Sequence, residues 1–442
     1  MIRPTRSNSR IAACLWAVLL PLTPALAADF EAPAVVPAAQ LLGELPLRGE
    51  GYEIRSEATI VDFYGRFVVQ TDLGLFAVDG VDLLQQRLAE MPAARVLEEA
   101  SALVVLGDTA QRRLRRPFEQ GAKVASEPGS TAKRVPQGIG RFLSRTARRA
   151  QKLFWRIGDA ASDRWRRNDQ PAAANESETP ERESSKLAAA QSIGLDYIGY
   201  DKARRELARR LGIDPYTSHP LINQRLDDLA WSAWVGNKSA SLMLGAVVGG
   251  ALDQALDISG DAYRLAWAES PMDIELHNQR QLEALGLRGR PVRDFLRNGA
   301  FNPLLQTALV ERIGESAYST LRPELLDLAT QMDNEREARF LLAQLAELSA
   351  AGRRGRGLPR VGLIGQTLVL DQGDGRLSVI LPVDWVSWDP AIADFAQRPE
   401  LREHRPQLLV NGSLSQRAQR EFNALGWQWQ EHWSARTDPA GS

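Results

Sequence analysis

Residues 407–429 read QLLVNGSLSQRAQREFNALGWQW, and this stretch separates an all-helical chain from a mixed one. Gln407–Val410 is a short apolar run of strand type. Ser413 with Gln416 forms a capping box for a helix that reaches Leu425, and Gly426 supplies its C-cap. Trp427, Trp429 and Trp433 then alternate with polar residues as a final strand. A strand–helix–strand crossover makes the two strands parallel. Upstream, Val361–Leu370 and Leu377–Val386 read as strands around a turn at Asp371–Arg376, which completes a small α/β unit over 358–434.

Working back from this unit, the Arg/Gly run 352–357 is a linker, and 186–350 is mainly helical. One helix spans Leu187–Leu211 and is ended by Gly212. Asp214-Pro215-Tyr216 makes a turn in which Asp214 caps, and Pro220 opens the next helix at a position where a missing N–H costs nothing. Ile222, Leu226, Leu229, Ala230, Ala233 and Trp234 form its apolar stripe. Further helices are predicted around Ile274–Leu285 and Asn302–Ile313, and a longer one over Arg322–Ala350.

Residues 28–107 read as a small mixed α/β domain. Its strands are Ala58–Tyr64, Arg66–Thr71 and Gly74–Val78, joined at Gly65 and Asp72, with a helix over Asp82–Ala102. The fold class expected is therefore multidomain α+β: an N-terminal mixed α/β domain, a central helical domain and a C-terminal α/β unit.

Of 442 residues, 44% are hydrophobic and 25% charged, which suits a soluble globular protein and excludes a disordered, collagen-like or multi-span membrane chain. Residues 1–27 read as a signal peptide. Arg3, Arg6 and Arg10 precede the apolar run Ile11–Leu20, and Ala25-Leu26-Ala27 is a cleavage site. Cleavage removes Cys14, the chain's one cysteine. Disulfides and thiolate chemistry are then excluded, and export without disulfides points to a bacterial periplasm.

The segment from Leu211 to Trp234, LGIDPYTSHPLINQRLDDLAWSAW, resembles one in an uncharacterised family of exported bacterial proteins. The tail elements LPVDWVSW, VNGSLSQRAQREF and NALGW do so too. The resemblance implies export and carries no named activity, so no functional residue follows from it.

Charge is segregated along the chain. Residues 112–169 carry 16 Lys/Arg against 5 Asp/Glu, whereas the remainder of the mature chain has 35 against 50. Within the block, loop precedes a basic amphipathic helix over 138–166, and 168–185 reads as a flexible linker. Ile139, Phe142, Leu143, Ala150, Leu153, Phe154 and Ile157 form that helix's apolar stripe. Arg141, Arg145, Arg148, Arg149, Lys152 and Arg156, with Trp155, are the residues expected to meet an anionic membrane surface or envelope polymer. A partner protein, or the chain's own acidic body, would also satisfy them. Nucleic acid has the right charge complement but the wrong compartment.

Chemical signatures are sparse. There is no GxSxG, SxxK, Walker A or HExxH pattern, so no catalytic residue, metal ligand or cofactor is assigned. Asp384, with Pro382 before it and Trp385 and Trp388 after it, is a candidate pocket in which aromatic walls flank a carboxylate, with filling of the domain core as the simpler role for the rings. His404 beside Glu403 and His432 beside Glu431 are the histidines most able to meet in space. The turn 371–375 lacks the carboxylates of a calcium loop. Leu242–Leu252 carries Gly245 and Gly249 at GxxxG spacing, which serves close helix packing.

The expected function is that of a non-enzymatic periplasmic protein of the cell envelope, held at an anionic surface by its basic helix. An envelope-polymer hydrolase using Asp/Glu groups and a membrane-inserting protein in which 221–252 rearranges are the alternatives.

Overall fold

The computed structural model describes residues 30–107, 199–234, 256–354, 360–372 and 375–436. The segments expected as signal peptide (1–27), basic amphipathic helix (138–166) and linker (168–185), and the GxxxG run, lie outside the described residues. Within them the chain is mixed α+β, with an N-terminal sheet, a helical region and a C-terminal sheet.

The N-terminal sheet has six strands: β1 Val35–Pro37, β2 Arg48–Gly49, β3 Tyr52–Ile54, β4 Glu57–Val61, β5 Tyr64–Thr71 and β6 Gly74–Asp79. Their order is β1-β4-β5-β3-β2, and β6 pairs with β5. β5, β4 and β6 form the expected meander, but the first reversal falls at Asp62-Phe63 rather than Gly65. Val61 pairs with Tyr64, and both turn residues have positive φ, 53° and 71°. That geometry matches the right-handed twist of the strands it joins.

The helix predicted over 82–102 is two, Val81–Ala89 and Met91–Gly107. Pro92 has no N–H to continue a helical ladder and falls in the first turn of the second.

Residues 199–211 are helical and end as predicted at Gly212, which has φ 64°. The N–H of Ile213 reaches back to the carbonyl of Ala208 at 3.0 Å, closing the last turn over that glycine. The next helix, Pro220–Trp234, buries Ile222, Leu226, Leu229 and Ala230. These side chains, with Leu207, Leu211 and Ile213, share one core with Phe67, Val69, Phe76 and Leu97. Residues 199–234, placed with the helical region by their periodicity, thus complete the core of the N-terminal sheet.

The helical region continues with helices Gly260–Ala268, Pro271–Ala284, Arg290–Leu296 and Pro303–Gly314. Ser259, Ser270 and Asn302 cap three of them through side-chain oxygens. The single helix expected over 322–350 is Arg322–Thr330 followed by Glu335–Arg354. Asn334 is the reason for the break. Its Oδ1 accepts from the Glu337 N–H at 3.1 Å while Glu337 Oε2 accepts from the Asp333 N–H at 2.8 Å, a capping box that starts a new helix. The Arg/Gly run expected as a linker begins inside this second helix.

The C-terminal sheet contains β7 Arg360–Ile364, β8 Thr367–Asp371, β9 Arg376–Leu381, β11 Arg405–Val410 and β13 Gln428–Gln430, in the order β13-β11-β9-β8-β7. The run 361–370 is a hairpin rather than one strand. Gly365, with φ 68°, reverses it so that Ile364 faces Thr367. β11 runs parallel to both β9 and β13, as the crossover argument requires. The crossover helix is Gln416–Ala424, and its cap is Ser415, whose hydroxyl accepts from the Ala418 N–H. Ser413, the expected cap, lies in a short strand β12, Ser413–Leu414, parallel to β10, Trp385–Val386.

Both faces of this sheet are buried. Leu377, Val379, Leu381, Leu408 and Val410 face the helices Pro390–Ala396 and Gln416–Ala424, among Ile392, Phe395 and Phe422. Leu368, Ile380 and Leu409 point the other way, into the core of the helical region with Leu341, Leu345 and Leu348. Strands buried on two sides lose the polar alternation of a half-exposed sheet, which is why LSVIL and QLLV are near-continuous apolar runs. Ile380→Ala is expected to cost about 2–5 kcal/mol, because the truncation leaves a cavity between sheet and helices. Leu276→Ala, at a side chain that is 42% exposed, should stay within about 0.5 kcal/mol. Urea unfolding of the two variants checks this, and equal costs would contradict the shared core.

Candidate functional site

Asp62 and Phe63 sit in left-handed backbone without being glycine, a conformation unfavourable for a bulky residue. The C-terminal unit holds them there. The Phe63 ring is buried in the core of that unit, and its carbonyl accepts from the N–H groups of Asp384 at 3.1 Å and Trp385 at 3.0 Å. The contact is reciprocated: Asp384 Oδ2 accepts from the Gly65 N–H at 2.9 Å and the Val81 N–H at 3.2 Å. Tyr64 donates its hydroxyl to the Pro382 carbonyl at 3.1 Å. Segment 382–385 and turn 62–65 therefore interlock. Gly412 backs this clasp, since a Cβ there would lie 2.0 Å from the Asp384 carbonyl oxygen.

A cleft of about 290 Å³ opens beside the clasp, between the N-terminal sheet, the 217–220 loop and the 335–354 helix. Phe76, Val78, Leu83, Pro220 and Ala343 supply apolar wall. Four arginines stand on the same walls: Arg66, Arg87, Arg336 and Arg339. Arg66 forks onto Asp79 at 2.7 and 2.8 Å, and Asp79 also accepts from Arg336 at 3.1 Å. Arg336 pairs in addition with Asp62 of the turn at 3.2 Å. At the other end Arg87 donates to Glu90 at 3.1 Å, Thr217 at 2.7 Å and Ser218 at 2.6 Å, while Arg339 donates to Gln86 at 2.8 Å. The guanidinium groups are thus fixed before any ligand arrives, which lowers the ordering cost of binding.

Two groups behind this wall look like acid–base candidates and are structural. His219 accepts from the Leu221 N–H on Nδ1 at 3.2 Å, and Nε2 lies 3.3 Å from the Arg87 carbonyl, so the neutral ring with its proton on Nε2 satisfies both contacts. Burial, with the Arg87 charge beside it, pushes its pKa down to about 3. Asp214 accepts from the Tyr216 N–H and the Asn302 side-chain amide, both at 2.8 Å. It closes the 214–217 turn and ties it to the cap of the 303–314 helix, where the sequence suggested a cap of its own. Burial raises its pKa to about 7.

The residues singled out from sequence fall in different places. Arg141, Arg145, Arg148, Arg149, Lys152, Trp155 and Arg156 lie outside the described residues. Asp384, Trp385 and Trp388 meet separate partners. The Asp384 carboxylate is taken up by the clasp, Trp385 packs with Val36 and Ile60, and Trp388 meets the Phe422 ring edge-on. His432 Nε2 lies 3.3 Å from Ser413 Oγ, and among the described residues no group of three His, Asp or Glu side chains is placed to hold a metal. The cleft is not legible in the sequence because the contacts that gather its four arginines, Arg87 to Thr217 and Ser218, Arg336 to Asp79 and Arg339 to Gln86, join segments distant along the chain. The one available signal was the DNERE box at 333–337, which sets Arg336 and Arg339 one turn apart on a new helix.

Asp384→Ala strips the acceptor from two N–H groups and is expected to cost about 2–4 kcal/mol of stability in urea unfolding. Burial, with Asp82 and Asp79 nearby, raises the Asp384 pKa to about 7. A carboxyl raised above its unfolded value stabilises the fold fully at low pH and loses that contribution as pH rises through the folded pKa. Stability should therefore fall between about pH 4 and pH 7, and Asp384→Asn should flatten this fall while Asp214 sustains the remainder. An unchanged slope in Asp384→Asn would overturn the assignment. Comparison of the chain with protein-family models, curated proteins and solved structures gives no match.

Proposed function

We propose that this chain is an exported, periplasmic protein of the cell envelope that works by binding rather than catalysis. It attaches to an anionic membrane surface or envelope polymer through Arg141, Arg145, Arg148, Arg149, Lys152, Trp155 and Arg156. The observation that carries the reading is the charge division: 16 Lys/Arg against 5 Asp/Glu in residues 112–169, in a chain of formal net charge −1. Each basic residue near an anionic surface contributes about 1 kcal/mol, so a cluster of six gives useful affinity.

The described body supports this division of labour. Its arginines are largely engaged by its own carboxylates, as in Arg66–Asp79, Arg87–Glu90, Arg205–Asp201 and Arg436–Glu347. The N-terminal unit, residues 30–107, holds 12 Asp/Glu against 5 Lys/Arg and would itself be repelled by an anionic surface. Asp214, Asp384 and His219 are occupied in holding backbone, which favours binding over acid–base work. The membrane-inserting alternative loses support from the described part of 221–252, whose apolar stripe is already buried. Among the described residues no helix is long and apolar enough to cross a membrane.

Flotation of the full mature chain with liposomes tests the proposal. Binding is expected to phosphatidylglycerol-containing vesicles and not to neutral ones, to weaken steeply with salt, and to be lost when Arg145, Arg148 and Arg149 are changed to Glu. Salt-insensitive binding, or binding that survives the triple change, would refute it.

A further inference from the structure

We propose that the cleft between the N-terminal sheet and the 335–354 helix is a binding site for a small amphiphilic monoanion, a carboxylate or phosphate diester joined to a short apolar body. This goes beyond surface attachment by the basic segment and does not depend on it.

The volume, about 290 Å³, lies at the lower end of the range of small-ligand sites. The cleft lies where separate cores meet, and its walls come from β5, β6, the 81–89 helix, the 217–220 loop and the 335–354 helix. Junctions of this kind leave concavities that no single core can fill. The walls then divide by chemistry. Phe76, Val78, Leu83, Pro220 and Ala343 offer an apolar lining, and Arg66, Arg87, Arg336 and Arg339 offer guanidinium groups.

The anionic head follows from how those arginines are held. One carboxylate, Asp79, serves two of them: it takes the Nε and one terminal nitrogen of Arg66 and a terminal nitrogen of Arg336. Arg66 keeps its second terminal nitrogen, Nη1, uncommitted. Arg87 is braced by Glu90 at 3.1 Å, and burial pushes that glutamate's pKa up from its ordinary value. A fixed fork with donors to spare suits a planar carboxylate or a phosphate oxygen. Asp82 stands on the same wall, as does Glu335, which lies 3.9 Å from the Arg339 guanidinium, and these carboxylates set the limit. They repel a second negative charge, so the site discriminates against polyanions.

Isothermal titration of the full mature chain at low ionic strength, without lipid, tests the site. Octanoate and methyl octyl phosphate, a diester with a single negative charge, represent the two head chemistries, octanol lacks the charge, and inorganic phosphate lacks the apolar body. At least one of the two amphiphilic anions is expected to bind at one site per chain, with octanol and inorganic phosphate at least about tenfold weaker. Arg339→Met removes one guanidinium and Leu83→Trp fills the apolar wall. Each should weaken binding by at least about tenfold while the thermal transition stays cooperative. If Arg339→Met fails to fold, Leu83→Trp decides alone. Changing Arg145, Arg148 and Arg149 to Glu should leave octanoate affinity unchanged, which separates this site from the surface-attachment reading. No heat with either anion at millimolar concentration, equal affinity for octanol, unaltered binding in Leu83→Trp, or loss of binding in the triple variant would each overturn the proposal.

Discussion

Asp384 accepts one backbone N–H from the N-terminal sheet and one from the start of the 81–89 helix, while the Phe63 carbonyl accepts two from the segment that carries Asp384. Four hydrogen bonds exchanged across a buried joint are costly to break singly, because each loss strands a donor or acceptor away from water. The clasp also explains why Asp62 and Phe63 tolerate left-handed backbone: the strain is offset by burial of the Phe63 ring and by the Asp62–Arg336 ion pair. Removing the clasp would release the wall of the cleft, since Arg336 is positioned by Asp62 on one side and Asp79 on the other.

The second organising constraint is a sheet apolar on both faces. Leu377, Val379 and Leu381 need one helical layer, and Ile380 with Leu409 needs another. The layer on the second face comes from the helical region, so the C-terminal unit has no complete core of its own. The N-terminal sheet is completed in the same manner by residues 207–230, which return to it from the far side of a long stretch of chain. Each sheet is thus finished by helices from elsewhere in the sequence, and the cleft is the seam where these borrowed layers meet.

Charge plays two roles. Within the described body it is consumed locally: arginines meet carboxylates across the cleft, the clasp and the helix ends. The surplus of positive charge belongs to residues 112–169, outside the described residues, and the surface-attachment proposal rests there. The proposed amphiphile site uses the body's arginines, held rigid by the same ion pairs. The two proposals therefore draw on separate groups.

Much of the architecture was legible in the sequence, for local reasons. The strand–helix–strand tail, the Gly212 stop, the Pro220 start and the α+β class follow from periodicity, caps and glycine conformation, which act over a few residues. Several boundaries turn on single residues inside longer periodic runs, where the run's pattern masks the break: Gly365 inside an apolar run, Pro92 inside a helical one, Asn334 with Glu337 before a new helix. Asp384 was picked out because aromatic rings flank it, yet its role depends on Gly65 and Val81, some three hundred residues away. Arg66 and Arg336 share Asp79 under the same condition. Sequence by itself determined the element types, the charge segregation and the expectation of export, because these depend on composition and short-range geometry. Only the tertiary structure decided which carboxylate meets which donor and where the cleft opens, because those pairings form when distant segments are brought together by burial of their apolar faces.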